Sequence, residues 1–289
     1  MLLVLDRVYA LLSKTIRSWL DDHVSRMAAA LAFYTIFSLA PSLLIGLSVA
    51  ETIAGSSAAQ GELIAQLSRL VGADEAEYVF NLLQSSRGNY IGSGISLLGT
   101  GTALIAAMMV FSELQGSMNS IWQVQPDRGS GILRYLYTRA ISFVLVVAIG
   151  VLLLASIVAS SVLSGLESLL AEYRIVEPWF IGKLNSLVSF AISPIILALS
   201  YKLIPLRRVE WQDVWSGVIV VSLLFLLGKS VLSYHFSLSA LKTIYGAAGS
   251  LVILLMWIYY LSQIFFFGAE MTKVYALLYG SRRDRPLTG

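Results

Sequence analysis

Hydrophobic residues along this chain gather in long continuous runs and do not alternate with polar residues. The only charged residues inside these runs are Lys202 and Lys229. A run of about 20 apolar residues is long enough for a helix to cross the hydrocarbon core of a bilayer, whereas the strands of a membrane barrel would alternate. The pattern therefore predicts an all-α polytopic membrane protein with six transmembrane helices, at Met27–Val49, Ile91–Ser112, Ala140–Leu163, Asn185–Ile204, Val214–His235 and Ala247–Ala269.

The composition agrees with this interpretation. Of the 289 residues, 57% are hydrophobic and 13% are charged, whereas a soluble domain is about 45–50% apolar and about 25% charged. These values exclude a soluble enzyme, a disordered chain and an ordinary nucleic-acid-binding domain. The chain contains no cysteine, which excludes disulfides and thiolate metal sites. The predicted organisation is an interfacial segment at 1–26, a transmembrane bundle at 27–269 and a basic tail at 270–289.

Basic residues are distributed unequally between the two sides of the predicted bundle. Six spans place both termini on one side, and that side carries 14 of the 20 lysines and arginines. The opposite side carries five, and Lys229 lies within a span. Because basic residues are enriched in cytoplasmic loops, we predict that both termini are cytoplasmic. The net charge of +3 then reflects a collar that faces anionic head groups.

Two segments outside the spans show helical periodicity. The N-terminal segment predicts an amphipathic helix that lies in the membrane interface. Its apolar stripe comprises Leu5, Val8, Leu12, Ile16 and Trp19, and its opposite face carries Arg7, Lys14 and Arg17. The first periplasmic loop, at about 50–90, predicts two short amphipathic helices, which either cap the bundle or gate it.

Each three-helix half of the predicted bundle begins with a span that contains proline. Pro41 lies in span 1 and Pro194 in span 4. A proline within a span leaves a carbonyl without its helical partner and kinks the helix, and the Ser38 hydroxyl is placed to bond such a carbonyl. Kinks at matching places predict either inverted halves, as in many transporters, or two independent bends.

Ionisable residues at membrane depth are the sharpest candidates for a functional role. Lys229 is about 10 Å from the outer end of its span at about 1.5 Å per residue, so it either faces a protein cavity or snorkels. Glu113 and Glu270 end spans 2 and 6. They either neutralise basic neighbours or bind a cation or proton as a pair. The basic neighbours are Arg26, Lys202 and Lys273, and Tyr259, Ser262 and Gln263 are candidates to line a path or to bond across helices.

Several motifs resemble the YihY/BrkB family of bacterial inner-membrane proteins, and the similarity covers nearly the whole chain. The resemblance implies a six-helix polytopic fold. It implies no single activity, since members have been labelled ribonuclease BN, serum-resistance or virulence factors, and transporters. The motifs that carry it are Ala28–Pro41, which includes Tyr34, then Glu113, Asn119 and Trp122, then Tyr245–Ser250, Trp257–Tyr259 and Gly268–Glu270.

The ribonuclease label is not supported by the residues. Hydrolysis of RNA needs a metal cluster or a histidine acid–base pair. The two histidines, His23 and His235, fall on opposite sides of the predicted membrane. The loops also carry no dense acidic cluster and no broad basic–aromatic surface. We therefore expect no enzymatic activity, no cofactor, no metal and no nucleic-acid partner.

Three classes of function stay open at this point. The favoured one is a transporter or flippase-like carrier of a lipid or amphiphile that contributes to envelope integrity, with membrane lipids as partners and an anionic lipid or amphiphile as substrate. The others are a small-ion or solute exchanger and a non-transporting envelope scaffold, and the oligomeric state is open. The candidate site residues are Lys229, Tyr34, Ser38, Pro41, Pro194, Glu113, Asn119, Tyr245, Gly249, Tyr259, Gln263 and Glu270.

Overall fold

A computed structural model describes residues 2–71, 76–81, 83–84, 95–124, 194–236 and 249–283. Every regular element in these ranges is a helix and none is a strand, which confirms the all-α prediction. Residues 76–81 and 83–84 are also helical. The named helices are α1 (Leu2–Asp21), α2 (Val24–Ala54), α3 (Ser56–Val71), α4 (Ile95–Ile121), α5 (Pro194–Leu203), α6 (Trp211–Phe236) and α7 (Gly249–Leu278).

Two of these helices contain segments long and apolar enough to cross a membrane. They are Trp211–Gly228 in α6 and Leu251–Leu278 in α7, and they correspond to the fifth and sixth predicted spans. Helix α2 contains the whole of the first predicted span, and α4 and α5 overlap the second and fourth. The third predicted span lies outside the described residues. The number of spans and the side of the termini stay predictions.

Helix α2 runs unbroken through Pro41 and ends at Gly55, whose φ is +84°. This left-handed conformation suits glycine, and the Gly55 amide donates to the Glu51 carbonyl at 3.0 Å, which closes the last turn. The predicted kink at Pro41 stays a prediction. Pro194 begins α5, and the residues before it lie outside the described ranges, so its kink is also untested.

The predicted helices of the first loop are present. Helix α3 follows Gly55 directly, with Leu63 buried and Leu67 half-buried, and helical residues 76–84 bury Val79 and Leu83. At the start of α3, Gln60 Nε2 donates to Glu51 Oε1 at 2.9 Å and so ties the helix to the end of α2. The periplasmic location of this loop stays a prediction.

The chain forms two compact units. The first includes described residues 2–37, 106–124, 197–236 and 249–283, and the second includes 38–71, 76–81, 83–84, 95–105 and 194–196. The charged cluster and the polar anchors analysed below lie in the first unit, where α7 packs against both α6 and α1.

Helices α6 and α7 approach closely because glycine lies at their contacts. A side chain at Gly217 would overlap the Gly268 carbonyl oxygen and the Thr272 hydroxyl, and one at Gly228 would overlap the Tyr260 ring. The Tyr260 hydroxyl donates to the Leu224 carbonyl across the interface at 2.7 Å. Small residues allow such backbone contact between membrane helices. Glycine packing therefore sets the α6–α7 distance.

We expect Gly217→Ala to destabilise the protein by about 1–3 kcal/mol, because its methyl group meets backbone atoms that cannot yield without moving a helix. Gly116→Ala is the matched control, since that position in α4 has open space around it. Replacing a glycine inside a helix with alanine stabilises by about 1 kcal/mol. Thermal unfolding in detergent measures both, and equal effects of the two variants would contradict the packing argument.

Candidate functional site

A buried cluster of charges joins α7 to the turn between α1 and α2. Lys273 Nζ lies 2.6 Å from Glu270 Oε2 and 2.6 Å from Asp22 Oδ2. Glu270 is 0% exposed and Lys273 is 3% exposed. Asp22 and Ser18 also lie next to the Glu270 carboxyl. Two carboxyl groups therefore share one ammonium group, at a place where Glu270 and Lys273 are buried and Asp22 is partly exposed.

The turn after α1 places Asp22 at this cluster. His23 adopts a left-handed conformation with φ of 53°, and its carbonyl accepts from the Arg26 amide at 2.9 Å, which starts α2. Further along α1, the buried Thr15 hydroxyl lies 3.4 Å from the sulfur of Met271. Helix α1 therefore crosses the last turns of α7 from the Asp22 end.

The contact continues to the end of α7. The Tyr279 hydroxyl donates to the Arg7 carbonyl at 3.4 Å, and the Arg7 guanidinium lies 5.9 Å from the centre of the Tyr279 ring. Contacts thus occur near both ends of α1, at Asp22 and at Arg7, which fixes its direction across α7.

Helix α1 presents three different faces. The face with Thr15 packs on α7, and the face with Lys14 and Arg17 is exposed and charged. A third face exposes the apolar side chains of Val8, Tyr9, Leu12, Ile16 and Leu20. Three of these belong to the predicted apolar stripe, Trp19 is half-buried, and the Leu5 side chain lies outside the described part. An exposed apolar face beside a charged one is typical of a helix in the membrane interface.

The end of α4 is fastened to the connection between α5 and α6. Asn119 Oδ1 accepts from the Leu206 amide at 2.9 Å, and the Trp122 carbonyl accepts from Arg207 Nη1 at 3.3 Å. Gln123 has φ of 52°, and the Val124 amide donates to the Asn119 carbonyl at 2.8 Å, so α4 ends in a left-handed cap. Asn119 therefore acts as a structural anchor for the connection.

A second polar anchor joins the start of α6 to the end of α7. Asp213 is buried in the first turn of α6, and it accepts from the Ser281 hydroxyl at 2.5 Å and from the Ser281 amide at 3.2 Å. Arg282 Nη2 donates to the Arg208 carbonyl at 2.9 Å. An acidic residue at the start of a helix is stabilised by the helix dipole. These bonds fix the segment after α7 against the α5–α6 connection.

The remaining described candidates lie at other positions in the helices. Tyr34 is half-buried with its ring against Phe33, and Ser38 is buried. Glu113 Oε1 accepts from the Ser117 hydroxyl at 3.3 Å, within α4. Glu270 pairs with Lys273, one of the basic neighbours named in the sequence analysis.

Two polar candidates on α7 interact with each other. Gln263 Nε2 donates to the Tyr259 hydroxyl at 2.6 Å, one turn away. This bond lies within one helix, whereas the sequence analysis also allowed a bond across helices. Gly249 is buried at the first position of α7. The role of these residues in lining a path stays a prediction.

Three candidates cannot be located at the level of side chains. Lys229 lies in α6 and Pro41 in α2, and the side chains of both are outside the described part of the structure. Tyr245 lies outside the described residues altogether. The two alternatives for Lys229, that it faces a protein cavity or that it snorkels, therefore both stay predictions.

Sequence reasoning missed several residues that hold this unit together. Asp22 gives no signal in the sequence, because its partner Lys273 is 251 residues away. Tyr201 is fully buried and donates to the Phe265 carbonyl at 2.7 Å. Asp213 had a detectable signal, since an acidic residue just before an apolar run marks a helix start.

We expect Lys273→Met to destabilise the protein by about 3–5 kcal/mol, because it leaves the buried Glu270 carboxyl and the partly exposed Asp22 carboxyl without their cation. Lys14→Met, on an exposed face of α1, should change the stability by no more than about 0.5 kcal/mol. Adding Glu270→Gln to Lys273→Met should recover part of the loss, with a coupling of about 0.5–3 kcal/mol. Thermal unfolding measures all three, and equal melting of the two lysine variants would contradict a stabilising cluster.

Comparison with known proteins places the chain in a family. The family model described as virulence factor BrkB matches residues 15–287. A UPF0761 membrane protein of Alteromonas mediterranea is 29% identical over 255 residues, which cover 87% of this chain and 83% of the relative.

Two further UPF0761 membrane proteins show the same relationship. The one from Verminephrobacter eiseniae is 31% identical over 276 residues, which cover 93% of this chain but 63% of the relative. The one from Pseudoalteromonas translucida is 26% identical over 255 residues, which cover 88% of this chain and 81% of the relative. No solved structure matches the chain. Because the family model extends over nearly all of the sequence, the chain is a membrane protein that belongs to the BrkB family.

Proposed function

We propose that the protein is a multi-pass inner-membrane carrier of a lipid or amphiphile, with six spans and both termini in the cytoplasm. The proposal assigns it no enzymatic reaction. The observation that supports it is the Glu270–Lys273–Asp22 cluster, because Glu270 and Lys273 are buried in the apolar segment of α7 just past the cytoplasmic end of the predicted sixth span. Buried ionisable groups next to a membrane span are costly, and they are retained where they pair with one another or serve a substrate or ion pathway.

Exposed apolar faces support a lipid or amphiphile as the substrate. Helix α6 exposes Trp211, Trp215, Ile219, Leu223 and Leu227 at intervals of four residues, so one continuous face is suited to acyl chains. Helix α1 exposes its own apolar face while one of its other faces packs on α7. A lipid-facing wall and an interfacial helix together suit a substrate that enters from the bilayer.

The charged cluster gives α1 a defined docking point on α7. Lys273 is shared between a carboxyl on its own helix and Asp22 from the turn after α1. A change in the charge of Glu270 changes the attraction available to Asp22, since both carboxyl groups act on the same ammonium. The proposed carrier therefore couples the charge inside α7 to the position of the interfacial helix.

The transport test uses the purified chain in vesicles of phosphatidylethanolamine and phosphatidylglycerol, with a fluorescent phosphatidylglycerol in both leaflets. Dithionite added outside should reduce the inner-leaflet label only as the protein moves it outward. Lys229→Met should slow the loss of inner-leaflet fluorescence about tenfold, which corresponds to about 1.4 kcal/mol in the activation free energy. Lys229→Arg should keep part of the parent's rate. Lys14→Met should match the parent.

Protein-containing vesicles whose inner label stays protected would contradict lipid transport. Full activity of Lys229→Met would show that the lysine only snorkels, and it would remove that residue from the proposed pathway. Equal expression and melting of the variants in detergent separates either result from misfolding.

A small-ion or solute exchanger is the second candidate, and the presence of two carboxyl groups beside one ammonium group favours it. One ammonium neutralises only one carboxylate, so the second carboxyl group can take up or release a proton or a monovalent cation. A pH dye sealed in the same vesicles distinguishes the two functions. Exchange predicts a proton flux driven by a sodium or potassium gradient and lost in Glu270→Gln, whereas lipid transport alone predicts no such flux.

The proposed topology is tested by single cysteines, since the chain has none of its own. Cysteines at Ser57 and Ser168 should react with a membrane-impermeant maleimide added to intact spheroplasts, and one at Ser130 should not. Ser13, which is exposed on α1, is a better second cytoplasmic reporter than Ser281, which is bonded to Asp213. Labelling of Ser130 from outside would contradict six spans.

A further inference from the structure

Basic side chains concentrate where the α5–α6 connection meets the segment after α7. The acidic residues that the structure describes in this region are Glu210 and Asp213, and Asp213 is buried in its bonds to Ser281. The described residues of the region therefore carry more positive than negative charge. Its basic members are Lys202, Arg207, Arg208, Arg282 and Arg283.

The Arg282 side chain reaches the backbone of Arg208, the neighbour of Arg207. Partial burial, and then the charge of Arg282, lower the pKa of Arg207 from its ordinary value. Each group is also held by a backbone carbonyl, since Arg207 donates to Trp122 at 3.3 Å and Arg282 donates to Arg208 at 2.9 Å. Neighbouring like charges that are fixed in place form a preorganised site for an anion.

The surroundings indicate the depth of this site relative to the bilayer. Leu203, Leu206, Trp211 and Trp215 are exposed around it. Exposed tryptophans are enriched at the level of the head groups, and exposed leucines favour the acyl region. The Lys202 ammonium lies 5.0 Å from the centre of the Trp211 ring and donates to the Val209 carbonyl at 2.7 Å.

The connection itself is held rigidly enough to serve as a binding site. The Leu206 amide, next to Arg207, donates to the side chain of buried Asn119, and Val209 is also buried. Asp213 fixes Ser281, the neighbour of Arg282, through two hydrogen bonds. Both arginines therefore extend from backbone that is bonded to separate helices.

We propose that Arg207, Arg208 and Arg282 bind the phosphate of an anionic phospholipid whose acyl chains lie against Leu206 and the exposed face of α6. Guanidinium groups match phosphate oxygens with paired donors, and the apolar surroundings favour a lipid phosphate over a dissolved one. This inference rests on the proposed placement of the chain in the membrane, but it does not require transport.

The test titrates the purified full chain in neutral detergent with dioctanoyl phosphatidylglycerol and follows binding by native mass spectrometry. Dioctanoyl phosphatidylcholine and inorganic phosphate form the comparison arms. We expect Arg207→Gln and Arg282→Gln each to weaken phosphatidylglycerol binding about fivefold, which corresponds to about 1 kcal/mol. Arg26→Gln, at an exposed position in α2, removes the same charge and should bind like the parent.

Arg207→Lys keeps the charge and separates binding from folding. It should melt like the parent without lipid and bind phosphatidylglycerol with an affinity between those of the parent and Arg207→Gln. Equal affinity of the parent and both glutamine variants would overturn the site. Equal binding of phosphatidylcholine and phosphatidylglycerol would contradict a preference for anionic lipid. Competition by inorganic phosphate at the same concentration as the lipid would contradict the proposal that the ligand is a lipid phosphate.

The outcome is independent of the flipping measurement. Selective binding without movement of labelled lipid would support this site while contradicting the proposed carrier. If Arg207→Gln moves lipid and binds phosphatidylglycerol as well as the parent does, the result would contradict this site while supporting the carrier.

Discussion

The close contact between α6 and α7 is the constraint on which the rest of the first unit depends. It exists because Gly217 and Gly268 have no side chains, so that the two backbones come within direct contact. Tyr201 can then lie against Gly268 and bond the Phe265 carbonyl. The same approach brings Asp213 to Ser281 at the end of the pair. These two polar contacts therefore use a distance that glycine sets.

In this unit, polar side chains of α7 are buried between helices, whereas the exposed face of α6 is apolar. Glu270 and Thr272 are fully buried, whereas Trp215 and Leu223 are exposed. This inverts the usual arrangement of a soluble protein, and it follows from the cost of an unsatisfied polar group in hydrocarbon. The same cost of placing polar groups in hydrocarbon therefore explains both the buried polar site between the helices and their apolar outer faces.

The sequence predicted the helices more completely than the site. Long apolar runs identified α6 and α7, because length and composition alone define a candidate span. The pairing of Glu270 with Lys273 could also be predicted from the sequence, since the two lie three residues apart on one helix. The contact of Asp22 with Lys273 could not be predicted, because the pairing of segments far apart in sequence depends on tertiary packing. Lys229, the residue favoured by its depth, stays a prediction.

The bond between Asp22 and Lys273 connects residues 251 positions apart, near opposite ends of the chain. Helix α1 is synthesised before α7, so its docking surface on α7 forms only after α7 has been made. Until then the apolar face of α1 can lie against the bilayer, while the face with Thr15 has not yet met Met271. Formation of this ion cluster therefore requires that α7 is in place, and a chain cut before α7 would lack Glu270 and Lys273 as partners for the α1 end of the cluster.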